Sequence, residues 1–245
     1  MTNALVIIPT YNESENIEKL IYKVFSLSLP MDILIIDDNS PDGTANIIKR
    51  IQVEQPGRLN LIERSGKLGL GTAYIAGFKW AITKHYEYIF EMDADFSHNP
   101  DDLVFLYNAC LNGADLAIGS RYKSGVNVVN WPMGRVLMSY LASKYVRFIT
   151  GMKISDTTAG FKCYTRKILE SIDFEKIKFK GYAFQIEMKF TVWKMGFKIE
   201  EVPIIFTDRK AGASKMSVGI FNEAIWGVIL MKLRSYFRNY NKIKV

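Results

Sequence analysis

Cysteine, histidine and long apolar runs are all scarce in this chain, and each scarcity narrows what it can be. Its 245 residues include two cysteines, Cys110 and Cys163, and two histidines, His85 and His98. The cysteines lack metal-ligand or redox spacing and read as buried thiols in a reducing compartment. No apolar run approaches the ~18 residues that would span a bilayer. The longest, Ala224–Met231, is broken by Gly227. Met1 to Ala4 lead straight into an apolar segment, which leaves no room for a signal peptide. The expectation is a protein that is soluble or lies on a membrane surface without crossing it.

What is present describes a globular chain, with 13% aromatic and 23% charged residues. The length suits one large α/β domain with a C-terminal appendage. The net charge of +7 is unevenly spread: 16 Lys and Arg stand against 17 Asp and Glu through residue 165, then 16 against 8. After Met231 come Lys232, Arg234, Arg238, Lys242 and Lys244 with no acid. Such an end suits a polyanionic partner, whether nucleic acid, phosphorylated substrate or anionic lipid.

Strand and helix patterns alternate along the chain. Ala4–Ile8 has no polar face, as expected of a strand covered on both sides, and stops at Pro9. Ser14 is the expected cap of the following helix. Ile33–Ile36, Leu59–Ile62, Tyr88–Met92 and Leu116–Tyr122 read as further strands, separated by helical segments. This alternation implies right-handed βαβ units and a mostly parallel sheet with helices on both faces. Later segments read as a helix over Trp131–Ile149, a strand over Lys162–Thr165, an amphipathic helix over Tyr182–Lys194 and one strand over Ile199–Phe206. Residues 1–217 form the expected domain and 218–245 an amphipathic, basic C-terminal segment. That last segment suits either a membrane surface or docking on the domain.

In open α/β sheets, ligands bind beyond the carboxyl ends of the strands. Tyr11 and Glu13 follow the first strand, Asp38 the second, and Asp93 and Asp95 the fourth. All five should face one crevice. Asp93 and Asp95, two apart on an extended backbone, would point the same way and repel unless a hard cation lies between them. The stretch Gly66–Ala73 suits a close backbone approach to a ligand or a tight helix start, but lacks dinucleotide and P-loop patterns. Arg135 and Ser139, four apart on one helix face, suit a phosphate group or a solvated surface.

Pro9-Thr10-Tyr11-Asn12-Glu13, Ile36–Thr44, Lys67–Tyr74, Met92–His98, Gly119–Tyr122, Gly181–Glu187 and Asp208-Arg209 with Ser214-Lys215 occur in an ordered set. Together they resemble family 2 inverting glycosyltransferases of GT-A (Rossmann-like) fold, in the dolichol-phosphate (polyprenol-phosphate) mannose synthase branch. The resemblance runs to about Ser217. It implies a GDP-mannose donor, a polyprenyl or dolichyl phosphate acceptor and a Mg²⁺ or Mn²⁺ ion. By it, Pro9, Tyr11, Glu13, Ile36 and Asp38 would hold the nucleoside. Asp93, Ala94 and Asp95 would meet the ribose, diphosphate and metal, the two aspartates being the metal ligands. Arg121, Arg209 and Lys215 would reach the donor phosphates, and Arg121, Arg135 and Ser139 the lipid phosphate. Asp95 and Arg121 would carry catalysis, with Asp156 positioning acceptor or sugar. Ser97 departs from relatives that place an amide ligand there. The implied setting is the cytoplasmic face of a membrane, with peripheral attachment and a helper membrane subunit left open. Rival readings are a related transferase using a UDP-sugar, or a non-catalytic nucleotide- or nucleic-acid-binding protein. The basic C-terminal third carries no nucleic-acid motif, so no nucleic-acid partner is expected.

Overall fold

The computed structural model describes residues 2–208 and 219–240, with side chains from residue 225 onward in the second stretch. Nine strands form a seven-stranded sheet and a two-stranded ribbon. The strands are β1 (Ala4–Thr10), β2 (Asp32–Asp37), β3 (Leu59–Glu63), β4 (Tyr88–Glu91), β5 (Leu116–Ser120), β6 (Val128–Val129), β7 (Lys162–Thr165), β8 (Ile199–Pro203) and β9 (Phe206–Thr207). The main sheet runs β3-β2-β1-β4-β7-β5-β8, and β6 pairs with β9. The helices are α1 (Ile17–Phe25), α2 (Thr44–Glu54), α3 (Leu70–Ile82), α4 (Asp102–Leu111), α5 (Met133–Thr150), α6 (Arg166–Ser171), α7 (Ala183–Lys194) and α8 (Gly219–Arg234).

The unbroken apolar run of β1 puts it at the sheet's centre. Leu5 and Ile7 pack into a core with α3, α5, α6, α7 and α8, whereas Ala4, Val6 and Ile8 pack into a second core with α1, α2 and α4. A strand covered on both faces can afford no polar side. β1 continues through Pro9, two residues beyond the sequence expectation. Backbone groups alternate sides along a strand, and the ladder to β4 ends with the Met92 N–H donating to the Ile7 carbonyl. The N–H that Pro9 lacks therefore falls where no partner strand remains.

β7 is antiparallel to both β4 and β5, so those two strands run the same way. β5 is in turn parallel to β8. The segments after β1, β2, β4, β5 and β8, and the turn before β7, consequently share one edge of the sheet. This reversal decides where the site lies.

Four local expectations need correction. Ser14 does not cap α1: the Glu13 carbonyl accepts from the Asn16 and Ile17 N–H groups, so the helix starts later, and Asp42 takes the Ser14 N–H. α7 is not amphipathic, because every residue from Ala183 to Val192 is buried. Gln185, Glu187 and Lys189 have interior partners instead, which is how a helix buried all round keeps them. The expected strand over Ile199–Phe206 splits in two. β5 ends at Ser120 opposite Pro203, the Ile204 N–H makes the last bond to the Ser120 carbonyl at 3.1 Å, and Phe206 pairs with Val128 instead. Finally, β4 stops at Glu91 and the chain bends through residues 94–98, with Phe96 at φ +58°. Asp93 and Asp95 thus lie on a bent loop and not on an extended strand.

Gly69 and Gly71 have a packing cause. Gly69 is left-handed at φ +103°, a Cβ there would stand 3.0 Å from the Lys180 carbonyl oxygen, and the Gly71 N–H donates to that oxygen at 2.8 Å. Gly77 lets α3 sit on β1, since a Cβ would lie 2.7 Å from Ile7 Cγ2. Alanine is the better helix former by ~1 kcal/mol, but overpacking a filled core costs about 1–3 kcal/mol. Gly77→Ala should therefore lower the urea midpoint, and a raised midpoint would show that α3 moves off the sheet without strain.

Candidate active site

The loops after β1 and β2 are tied to each other before any ligand arrives. Thr10 Oγ1 donates to Asp37 at 2.7 Å, and Asp37 also accepts from the Ser40 N–H at 2.8 Å. The Asn12 N–H reaches Ser40 Oγ at 3.0 Å, and the Glu13 N–H reaches Thr44 Oγ1 at 3.0 Å. Burial would raise the Asp42 carboxyl, but hydrogen bonds from Thr44 and Ser14 outweigh it and hold the pKa at about 2. Tyr11 and Glu13 are therefore presented on a braced loop, with Lys67 Nζ 5.1 Å from the Tyr11 ring centroid. Pro9 and Ile36 lie beneath them, opposite each other on paired strands.

Asp38 is buried and bound by Arg64 at 2.5 Å. Arg64 also donates to Thr72 Oγ1 at 2.7 Å and the Gly69 carbonyl at 3.3 Å, linking the second strand's loop to the start of α3. Nothing local in the sequence singles out Arg64, because its partner lies on a neighbouring strand.

Asp93 is partly exposed, whereas Ala94 and Asp95 are buried. The Tyr74 hydroxyl lies 3.4 Å from Asp93, and the Asp93 N–H donates to His98 Nδ1 at 3.3 Å. Burial lowers the His98 pKa to about 4, so the ring is neutral near pH 7 and its Nδ1 can accept. Asp95 Oδ1 accepts the Ser97 N–H at 3.1 Å. Ser97 Oγ is buried with no hydrogen-bond partner, an oxygen left over in the residue whose N–H binds Asp95. Among the described residues no three His, Cys, Asp or Glu side chains gather as a metal cluster. An oxygen set of Asp93, Asp95 and Ser97, completed by substrate oxygens or water, fits a hard divalent ion.

Beneath this loop lies a buried polar network. Lys162 pairs with Glu91 at 3.1 Å and also donates to Gln185, while Gln185 and Tyr164 donate to Glu91 at 2.8 and 2.9 Å. Lys189 donates to the Ala159 carbonyl, and burial followed by the Lys162 charge depresses its pKa strongly.

Arg121 leaves β5 and meets Asp156, which arrives from the turn before β7. Asp156 accepts three bonds from it: the backbone N–H at 3.0 Å, Nε at 2.7 Å and an Nη at 2.6 Å. The same Nη reaches Thr158 at 2.8 Å. The guanidinium carbon lies 5.2–5.5 Å from the ring centroids of Tyr122, Trp131 and Phe206. Burial raises the Asp156 pKa, but the Arg121 charge and hydrogen bonds outweigh it and hold the carboxyl below its ordinary value.

Arg135 lies on α5 with its guanidinium carbon 4.1 Å from the Trp131 ring centroid and donates to Asp208 at 2.8 Å. Ser139, one turn on, accepts the Tyr122 hydroxyl at 2.8 Å. The Trp131 and Tyr122 contacts bring both residues toward the Arg121 cluster. Arg209 and Lys215 lie outside the described residues. Thr158, Trp131 and Arg64 are the site residues that motif reading missed.

This sheet and its loaded carboxyl edge define a GT-A glycosyltransferase fold. A structure of glucosyl-3-phosphoglycerate synthase from Mycobacterium tuberculosis, solved with Mn²⁺, UDP and glucosyl-3-phosphoglycerate, superimposes with TM-score 0.66 at 17% identity, covering 95% of this chain and 79% of that one. The chain belongs to glycosyl transferase family 2, whose family model matches residues 5–173. It is 45% identical over 229 residues to a polyprenol monophosphomannose synthase of Mycolicibacterium smegmatis, covering 91% of this chain and 86% of the relative. It is 42% identical over 229 residues to an undecaprenyl-phosphate mannosyltransferase of Micrococcus luteus, covering 91% and 93%.

Removing one partner of a buried ion pair strands the other, at about 3–5 kcal/mol. Asp156→Asn should lower stability by that amount in urea titrations at pH 7. A carboxyl with a depressed folded pKa stabilises fully above its unfolded value of ~3.9 and loses that contribution as pH falls through the folded value. The gap between wild type and variant should thus persist at pH 5 and close well below pH 4; a gap that closes by pH 5 would contradict the pairing.

Proposed function

We propose that this enzyme transfers mannose from GDP-mannose to a polyprenyl monophosphate with inversion, giving polyprenyl β-mannosyl phosphate and GDP. The observation that carries the reading is the conjunction, at one sheet edge, of an oxygen-rich Asp93–Ser97 loop with the buried Arg121 cation. It occurs in a chain closely related to two named polyprenyl-phosphate mannosyltransferases. In this reading Tyr11, Glu13 and Asp38, with Pro9 and Ile36 beneath, receive the nucleoside on the braced loops of β1 and β2. Asp93, Ala94 and Asp95 face the ribose and diphosphate. A Mg²⁺ or Mn²⁺ ion held by Asp93 and Asp95 would neutralise the charge that develops on the departing diphosphate.

A phosphate monoester with a second pKa near ~6 is already largely dianionic at pH 7. One of its oxygens can form the new bond to the anomeric carbon while the bond to GDP breaks and GDP takes the electron pair. No proton need be removed, which suits a site whose buried histidine is neutral and hydrogen-bonded to backbone. Arg121, Arg135 and Ser139 orient the acceptor phosphate. Arg135 already holds a carboxylate, Asp208, so an arriving phosphate exchanges one anion for another.

Peripheral attachment to a membrane follows from such an acceptor. No helix among the described residues is long and apolar enough to cross a bilayer. α5, which carries Arg135 and Ser139, also exposes Met133, Leu137, Leu141 and Phe148, and neighbouring α8 exposes Trp226, Leu230 and Leu233. These side chains suit the boundary between headgroups and acyl chains.

The decisive test is a donor screen with polyprenyl phosphate, comparing GDP-mannose, UDP-glucose and UDP-N-acetylglucosamine. Turnover should be confined to GDP-mannose and be abolished by EDTA or Asp95→Ala; turnover with UDP-glucose alone would overturn the donor assignment. Arg135→Ala should raise KM for polyprenyl phosphate about tenfold or more, the loss of a charge-assisted contact, with KM for GDP-mannose within about twofold. Equal increases for both substrates would remove Arg135 from the acceptor subsite.

A further inference from the structure

We propose that Glu201, on the outer edge strand of the sheet, is a positioning residue that fixes Arg121 for phosphate binding; this rests on the role given to Arg121 above. Glu201 stands opposite Ile118 in the β5–β8 pairing. Its carboxylate accepts three hydrogen bonds: Oε1 takes the Ser120 hydroxyl at 2.8 Å and the Asp156 N–H at 2.9 Å, and Oε2 takes the Ser155 N–H at 2.8 Å. Ser120 precedes Arg121 in the chain, and Asp156 is its counter-ion. One side chain therefore holds both anchor points of the buried ion pair, although Arg121 and Asp156 are 35 residues apart in sequence.

The direction of each bond requires an acceptor on both oxygens. Two of the donors are backbone N–H groups and cannot turn. The third is settled by Tyr122, whose N–H lies 3.4 Å from Ser120 Oγ and occupies its acceptor side, so the hydroxyl proton goes to Glu201. A glutamine here can keep only one oxygen. Either amide orientation aims its NH₂ at a backbone N–H, that of Ser155 or that of Asp156, and a donor left without an acceptor is costly. Shifting the Asp156 backbone shifts a carboxylate that accepts three bonds from Arg121. Misplacing a reacting or binding group by ~1 Å can cost as much as 10²-fold in rate. Glu201 is only half-buried and borders a cleft of about 440 Å³ shared with Lys123, Lys153 and Trp193, so its replacement leaves the cores untouched.

The test uses the full chain, Glu201→Gln and Ser120→Ala, with steady-state kinetics, thermal melting and the ¹⁵N-edited Arg Nε–H signal assigned through an Arg121→Lys control. Glu201→Gln should lower kcat/KM for polyprenyl phosphate about tenfold or more, leave KM for GDP-mannose within about twofold, and speed solvent exchange of the Arg121 Nε–H. Ser120→Ala, which removes one donor of three, should move the same quantities less. If Glu201→Gln keeps the wild-type Arg121 signal and kinetics, or merely melts earlier with both unchanged, the positioning role is overturned. If the wild type transfers no mannose while the Arg121 signal still responds to Glu201→Gln, the positioning stands and the proposed reaction fails.

Discussion

Burying a guanidinium at 8% exposure beside a fully buried carboxylate is expensive unless both are saturated with hydrogen bonds, and the Arg121–Asp156 pair meets that demand. Much of the surrounding architecture serves it. Asp156 can reach Arg121 because β7 runs against its neighbours, which brings the turn preceding it to the edge where β5 ends. Thr158 from the same turn takes a further donor, and the rings of Tyr122, Trp131 and Phe206 surround the cation. A fully parallel sheet would have delivered that turn to the opposite edge.

Paired charge recurs around the edge. Arg64 meets Asp38, Lys162 meets Glu91 and Arg135 meets Asp208, each joining segments distant in sequence. The pairs differ in exposure, and the difference sorts their roles. Glu91 and Lys162 are sealed from solvent, so they act as scaffold beneath the acidic loop. The side chains of Arg135 and Asp208 are 31% and 27% exposed, so water screens their attraction and an incoming anion can compete for the arginine.

Much of this was legible in the sequence, and what was not has a common cause. The apolar run of β1, the loops after β1, β2 and β4, and Arg121 at the end of β5 all follow from local pattern and the rule that ligands gather at strand carboxyl ends. Arg64, Thr158 and Glu201 were invisible because their partners are chosen by sheet order, which no local spacing encodes. α7 was misread because Gln185, Glu187 and Lys189 look like a solvent face; each is buried with a partner on another element. The split of β8 from β9 likewise depends on where β5 ends, a fact held some eighty residues away.

That split has a consequence for the site. Once β9 leaves the main sheet it pairs with β6, and the ribbon so formed touches three parts of the candidate centre. The Thr207 N–H donates to the Ser97 carbonyl in the acidic loop at 3.3 Å. Phe206 packs edge-on against both His98 and Trp131, at 5.4 and 5.2 Å between centroids, and lies beside Arg121. Asp208, the next residue, binds Arg135 and donates its N–H to the Val129 carbonyl at 3.1 Å. Three consecutive residues thus contact the Asp93–Ser97 loop, the Arg121 cluster and the α5 arginine in turn. An anion that displaces Asp208 from Arg135 acts on a ribbon already joined to the loop proposed to hold donor and metal. The two proposed substrate sites are therefore mechanically adjacent even where their side chains do not meet.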